Sequence, residues 1–253
     1  MKHFTTILSH EIRMLLVSAS TYIAAFLFLA VMGFVFSGVL DDYNAAAQEN
    51  SPASVFFQLY WLPVFFMVPL LTMKCLAEER RLGTLETLLT APVSTTEVVL
   101  GKYFAAYFLY LMLWASTGGF FYILHHFASD SRFIDLGPLL GGYLFIAVSG
   151  LLYVAVGVFA SSLTRNQAVA GIFSFVLVFG LIIGIRFLGT REILNMDSLQ
   201  PLRSLVDYSN AARHLEDFTR GVVDTRQLLF YVSGTVLALI FSILGVEAKL
   251  IHS

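Results

Sequence analysis

Residues 136–164 read LGPLLGGYLFIAVSGLLYVAVGVFASSLT, 29 consecutive positions without Asp, Glu, Lys, Arg or His. A hydrocarbon layer of about 30 Å takes about 20 apolar residues at 1.5 Å of helical rise each. This stretch alone is long enough to cross a bilayer. Its run Leu144–Val148 is apolar without alternation, which argues against the strand of a membrane barrel. Working outward, five further charge-free windows occupy Met14–Leu40, Asn50–Met73, Tyr103–Leu124, Asn166–Ile185 and Gln227–Val246, of 27, 24, 22, 20 and 20 residues. The six windows hold 142 of the 253 residues, and all 32 Lys, Arg, Asp and Glu fall in the other 111. The expected fold is all-α: a polytopic membrane protein with six transmembrane helices.

Composition agrees. The chain is 58% hydrophobic and 13% charged, with mean hydropathy +0.80, against about 25% charged residues in an average soluble domain. A soluble enzyme and a disordered chain are excluded. The single cysteine, Cys75, excludes an intrachain disulfide framework. A net charge of −2 gives no pull toward nucleic acid. The first window exceeds the 7–15 apolar residues of a signal-peptide core, and Ser18-Ala19-Ser20 lies before its apolar run rather than after it.

Orientation follows from Lys and Arg in short loops. With six spans both termini share a side, and that side carries Lys2, Arg13, Lys74, Arg80, Arg81, Lys102, Arg165 and Lys249. The first two loops opposite carry only Arg132, beside Asp41, Asp42, Glu49, Asp130 and Asp135. Both termini are therefore expected to be cytoplasmic. The last outer segment, residues 189–226, breaks the pattern with six arginines over 186–226, which six carboxylates balance.

Charge-free spans weigh against a proton-coupled pump, which places Asp, Glu or His at mid-membrane, and against an intramembrane serine protease, which needs a base near its nucleophile. Met14 stands where a zinc-binding HExxH helix begun at His10-Glu11 needs its second His. His125-His126 is read as an incidental pair at the outer end of the third span. Gly101-Lys102 is followed by Tyr103 and lacks the preceding glycine of a phosphate-binding loop. No metal or nucleotide site is expected on this chain.

The densest charge lies between spans two and three: KCLAEERRLGTLETLLTAPVSTTEVVLGK, Lys74–Lys102. Leu82, Leu85 and Leu89 share a helical face, Pro92 stops that helix, and Ser94-Thr95-Thr96-Glu97 has the spacing of a capping box. The second helix then runs into span three. Residues 77–101 are expected to form a capped hairpin at the cytoplasmic surface. The alternative is an ordinary positively charged loop with an interfacial helix.

Glu79-Arg80-Arg81-Leu82-Gly83-Thr84-Leu85-Glu86, then Pro92-Val93 and Gly101-Lys102, resembles the signature of ABC-2-type transporter permeases, closest to the gliding-motility-associated subgroup. The likeness extends to His10-Glu11 in an amphipathic lead-in over residues 1–16, with His10 in place of the family's basic residue. It also takes in His214–Asp224 before span six. It implies a single transmembrane domain over 1–253, the permease subunit of an ATP-driven exporter in the bacterial inner membrane. Two such permeases, identical or similar, would meet on a twofold axis and rest on two ABC ATPase subunits that bind ATP and Mg. The hairpin would be the coupling helix, through Glu78, Glu79, Arg80, Arg81, Gly83, Thr84 and Glu86, supported by Glu97 and Lys102. Gly83 would admit the partner's backbone or is a tolerated helix glycine. The gliding-type likeness adds a possible auxiliary protein with a large extracytoplasmic domain. The rival class is a six-span channel or membrane scaffold that uses no ATP.

Over Pro201–Val222 apolar residues recur at Leu205, Tyr208, Ala212, Leu215, Phe218 and Val222, with charges between them. The segment is too charged to span and is expected to lie on or dip into the outer leaflet. The resemblance makes it a place of short re-entrant helices closing the outer end, with Leu215, Phe218, Arg220 and Gly221 at the gate. A plain surface helix is the alternative. Gly180 and Gly184 form a GxxxG pair in span five, which suits close contact with a neighbouring span of this chain or with a second copy.

Overall fold

The computed structural model describes residues 2–45, 51–84, 93–127, 135–189 and 200–250. Those residues are helical, without strands. Among them six helices are long and apolar enough to cross a membrane: Ala19–Tyr43, Trp61–Leu82, Thr95–Phe127, Leu136–Leu163, Gln167–Gly189 and Thr225–Ala248. The chain is an all-α, multi-pass membrane protein.

In chain order the elements are α1 (Lys2–Val17), α2 (Ala19–Ala45), α3 (Pro52–Gln58), α4 (Trp61–Thr72), α5 (Ala77–Leu82), α6 (Thr95–Ser116) and α7 (Gly118–Phe127). Then come α8 (Leu136–Leu163), α9 (Gln167–Phe179), a π-helical turn (Gly180–Gly184), α10 (Ile185–Gly189), α11 (Gln200–Tyr208), α12 (Ala211–Thr219) and α13 (Thr225–Leu250). Local chemistry sets many of the starts. The side chains of Ser51, Ser94, Asp135, Asn166 and Asn210 each accept from an amide in the first turn of the helix that follows, satisfying donors that a helix start otherwise leaves unpaired.

Two features divide the expected spans. The charge-free window of span two holds α3 and a turn at Leu59–Tyr60 before α4 begins. Pro63 then falls in the first turn of α4, where the missing N–H removes no helical bond. The lead-in, α1, is a separate helix broken from α2 at Ser18, so the first span starts at Ala19 rather than Met14.

The stretch quoted at the outset, α8, is the hub. In it 72% of the most apolar window is buried, against 28% in α2 and 22% in span five. α13, α9, α12 and α6 all pack along it. Glycines make this possible: a Cβ at Gly142, Gly150 or Gly157 would overlap Phe57, Tyr110 or Thr72. Next to these, Tyr103, Tyr107 and Tyr110 of α6 donate their hydroxyls to the carbonyls of Leu151, Ala147 and Ile146, at 3.1, 2.8 and 3.5 Å. Each of these α8 carbonyls takes a second bond on its free lone pair, and no phenol is left unpaired in an apolar interior.

Candidate functional site

At the end of the bundle where α5 lies, hereafter the hairpin end, α1, α5 and α6 converge on one ammonium group. Lys102, in the second turn of α6, is 4% exposed, and its Nζ lies 2.7 Å from Glu11 Oε1 of α1 and 2.7 Å from Glu79 Oε1 of α5. α1 is pressed against α6 at the same level, where a Cβ at Gly101 would come within 2.7 Å of Ile7 Cγ2. A charge is costly away from water unless it is paired, and here one cation serves two carboxylates. Glu79 Oε2 remains buried without a hydrogen bond.

The neighbouring Arg80 turns the other way. Its guanidinium donates to the carbonyl of Ser162, in the last turn of α8, and to that of Gly245 in α13, the latter at 2.7 Å. The Ser162 carbonyl, at a helix C-terminus, lacks a helical donor and carries partial negative charge, so an arginine suits the place. Ser161 completes the joint. Its Oγ accepts from the amides of Leu76 and Ala77 at 3.0 Å each and donates to the carbonyl of Met73. A side chain from α8 thus supplies the start of α5 with the cap that Leu76 cannot offer.

α5 ends at Gly83, whose φ of +71° is left-handed. Only glycine takes this conformation freely, so Gly83 is a helix stop and not a tolerated interior glycine, and the space beside it is open. The helix expected to run on to Pro92 is interrupted there. Glu86, with the rest of 85–92, lies outside the described residues. Beyond it the expected capping box is present, the Ser94 and Glu97 side chains each bonding the other's backbone N–H.

The hairpin residues named from sequence therefore divide. Glu79, Arg80 and Lys102 are consumed in bracing the chain internally. Arg81, Gly83 and Thr84 are exposed and Glu78 half-exposed, with Arg81 in a loose 3.9 Å ion pair to Glu78. Ser161 was missed. Glu11 was marked only through its resemblance, because a carboxylate on an amphipathic lead-in helix reads as solvated.

At the far end, α12 rests on α8 and α3. Leu215 and Phe218 are buried, and a Cβ at Gly141 would strike the Phe218 carbonyl. Arg220 is exposed and ion-paired to Glu216. Gly221, at φ +80°, closes α12 with its amide bonded to the Phe218 carbonyl. The long amphipathic stripe is split, because the Asn210 side chain starts a new helix, and Leu205 and Val222 are left exposed. His214, buried, bonds Tyr231 Oη through Nδ1 at 3.0 Å and the Tyr208 carbonyl through Nε2 at 2.9 Å. Burial holds its imidazole below the ordinary value of 6.5.

Among the described residues, Gly180 and Gly184 make no close approach to a neighbouring span of this chain. They bound the π-helical turn, and nothing lies within 4 Å of where their Cβ atoms would be.

A family model described as ABC-2 family transporter protein matches residues 40–212, well over half of the chain. The chain belongs to that family. As a member it is a permease subunit of an ABC transporter, a transmembrane component that is not itself catalytic. No curated protein matches the chain.

Proposed function

We propose that this permease works as a dimer, with itself or a similar chain, seated on two ABC ATPase subunits that bind ATP and Mg and drive export. The hairpin end faces the cytoplasm in this reading, with both termini, and the membrane is the bacterial inner membrane. One observation carries it: α5 is tied to α1 and α6 through Glu79 and Lys102, and to α8 and α13 through Arg80. A push on its exposed edge, at Glu78, Arg81, Gly83 and Thr84, is passed to four helices at once, whereas a plain interfacial loop needs no such bracing. Glu86 and Glu97 would flank the contact. The outer helices, with Leu215, Phe218, Arg220 and Gly221, would close the opposite end. The likeness to gliding-motility-associated permeases supports envelope-directed work with an auxiliary extracytoplasmic protein as a variant of the same function.

The test places a photo-crosslinking amino acid at position 84 and identifies the adduct by mass spectrometry. An adduct to a protein with a nucleotide-binding loop is expected, and Arg81→Glu should slow ATP hydrolysis by the reconstituted complex about tenfold. If no ATPase crosslinks or co-purifies, the chain is the channel or scaffold named as the rival.

A further inference from the structure

A cavity of 490 Å³ opens at the far end, where the start of α4, the π-helical turn and α12 meet. Its size falls within the roughly 300–1,000 Å³ of small-molecule sites. Ile182, Ile183, Leu215 and Trp61 give it apolar wall. Gln58 and Thr219 add polar groups, and two charges reach it, Arg186 and Glu216. They are not equivalent. Glu216 is engaged by Arg220, while among the described residues no carboxylate pairs with Arg186. The cavity therefore offers one uncommitted guanidinium, a group suited to bidentate binding of phosphate or carboxylate.

An aromatic seam leads away along the span. Trp61 lies against Phe65, and Phe65 against Phe175 and Phe179. The latter two are 38% and 42% exposed, on a helix whose Ile172, Phe173 and Val176 are also exposed. An anion-binding end thus continues into an apolar surface at membrane depth. The wall between them is a π turn, an irregularity that recurs at functional sites.

We infer that this cavity binds the anionic head group of a single-chain or lipid-like amphiphile, with its aliphatic chain laid along Phe65, Phe175 and Phe179. The amphiphile is a transported molecule or a bound lipid of that leaflet, and the shared chemistry is one negative head on an alkyl tail. The inference rests on the membrane-spanning fold and the permease reading, but binding needs no ATPase. Its failure and the failure of ATP coupling are therefore separately visible.

The test uses the purified chain in dodecyl maltoside, titrated with decyl phosphate, octyl glucoside or inorganic phosphate. The chain has two tryptophans, so Trp114→Phe leaves Trp61 as the reporter, and calorimetry on the unaltered chain gives a parallel reading should that variant misfold. Saturable binding of decyl phosphate is expected, at least tenfold weaker in Arg186→Gln, abolished in Ile183→Phe and unchanged in Arg203→Gln. Octyl glucoside and inorganic phosphate should bind at least tenfold more weakly than decyl phosphate. Equal binding in Arg186→Gln, non-saturating partition, or inorganic phosphate binding as tightly as decyl phosphate each overturns the inference. Export or accumulation of alkyl phosphate in vesicles containing the full complex then separates a transported molecule from a resident lipid.

Discussion

The ammonium of Lys102 lies 2.7 Å from the carboxylate of Glu79 across the hairpin, and the same ammonium holds Glu11 at 2.7 Å. Removing one member of a buried charge group leaves the others uncompensated and costs about 3–5 kcal/mol. Lys102→Met should therefore lower the thermal midpoint in detergent sharply, and Lys102→Arg only mildly. The triple variant Glu11→Gln, Glu79→Gln, Lys102→Met removes the stranded charge and should recover much of the loss. A triple variant no more stable than Lys102→Met contradicts the electrostatic account.

Ser161 serves two amides at the start of α5. Ser161→Ala strands both in a buried place and should cost about 1–2 kcal/mol, in the range of a lost helix cap. Hydrogen exchange should quicken at Leu76 and Ala77 while amides in the middle of α8 keep their protection. Uniform loss across the bundle would mean that Ser161 acts on the whole fold instead.

His214 accepts at one nitrogen and donates at the other only while neutral. Because burial lowers its folded-state value below 6.5, the unfolded chain takes up the proton first as pH falls. Stability is full above about 6.5 and is lost on acidification toward the lowered value. Thermal midpoints measured from pH 7.5 to 5 should fall along that window, and the slope should flatten in His214→Gln. An unchanged slope assigns the acid sensitivity to other groups.

The glycines of α8 and of the π turn should respond oppositely. Gly141→Ala drives a methyl into the Phe218 carbonyl and should displace α12, seen as faster proteolysis near Arg220. Gly180→Leu meets open space and should leave the monomer's midpoint unchanged. If the twofold axis of the proposed dimer passes there, the same variant shifts the chain to monomer in mass photometry. A dimer that survives Gly180→Leu places the axis elsewhere.

The spans were legible because hydrocarbon admits no charge, so the six windows announce themselves in the one-dimensional order of residues. The cap of α6 was legible for a similar reason: Ser94 and Glu97 act within a few residues of each other. The Glu11–Lys102 pair joins positions 91 apart, and Ser161 reaches back 85 residues to Leu76. Nothing local distinguishes such partners from solvated neighbours. The close-packed glycines of α8 escaped notice by the same limit. Spacing drew attention to Gly180 and Gly184, while the close approaches belong to Gly142, Gly150 and Gly157, whose neighbours come from three other helices.

The burial of α8 divides the molecule into a keel and a hull. Its glycine positions are each filled by a different neighbour, so a new side chain there disturbs the joint with α3, α4 or α6 rather than altering a pathway. The surfaces of α2, span five and α13 touch far less of their own chain. In the proposed dimeric permease, freedom to change cargo, lipid preference or dimer partner would be concentrated on those three helices. A search for altered specificity should be directed there, with α8 left untouched.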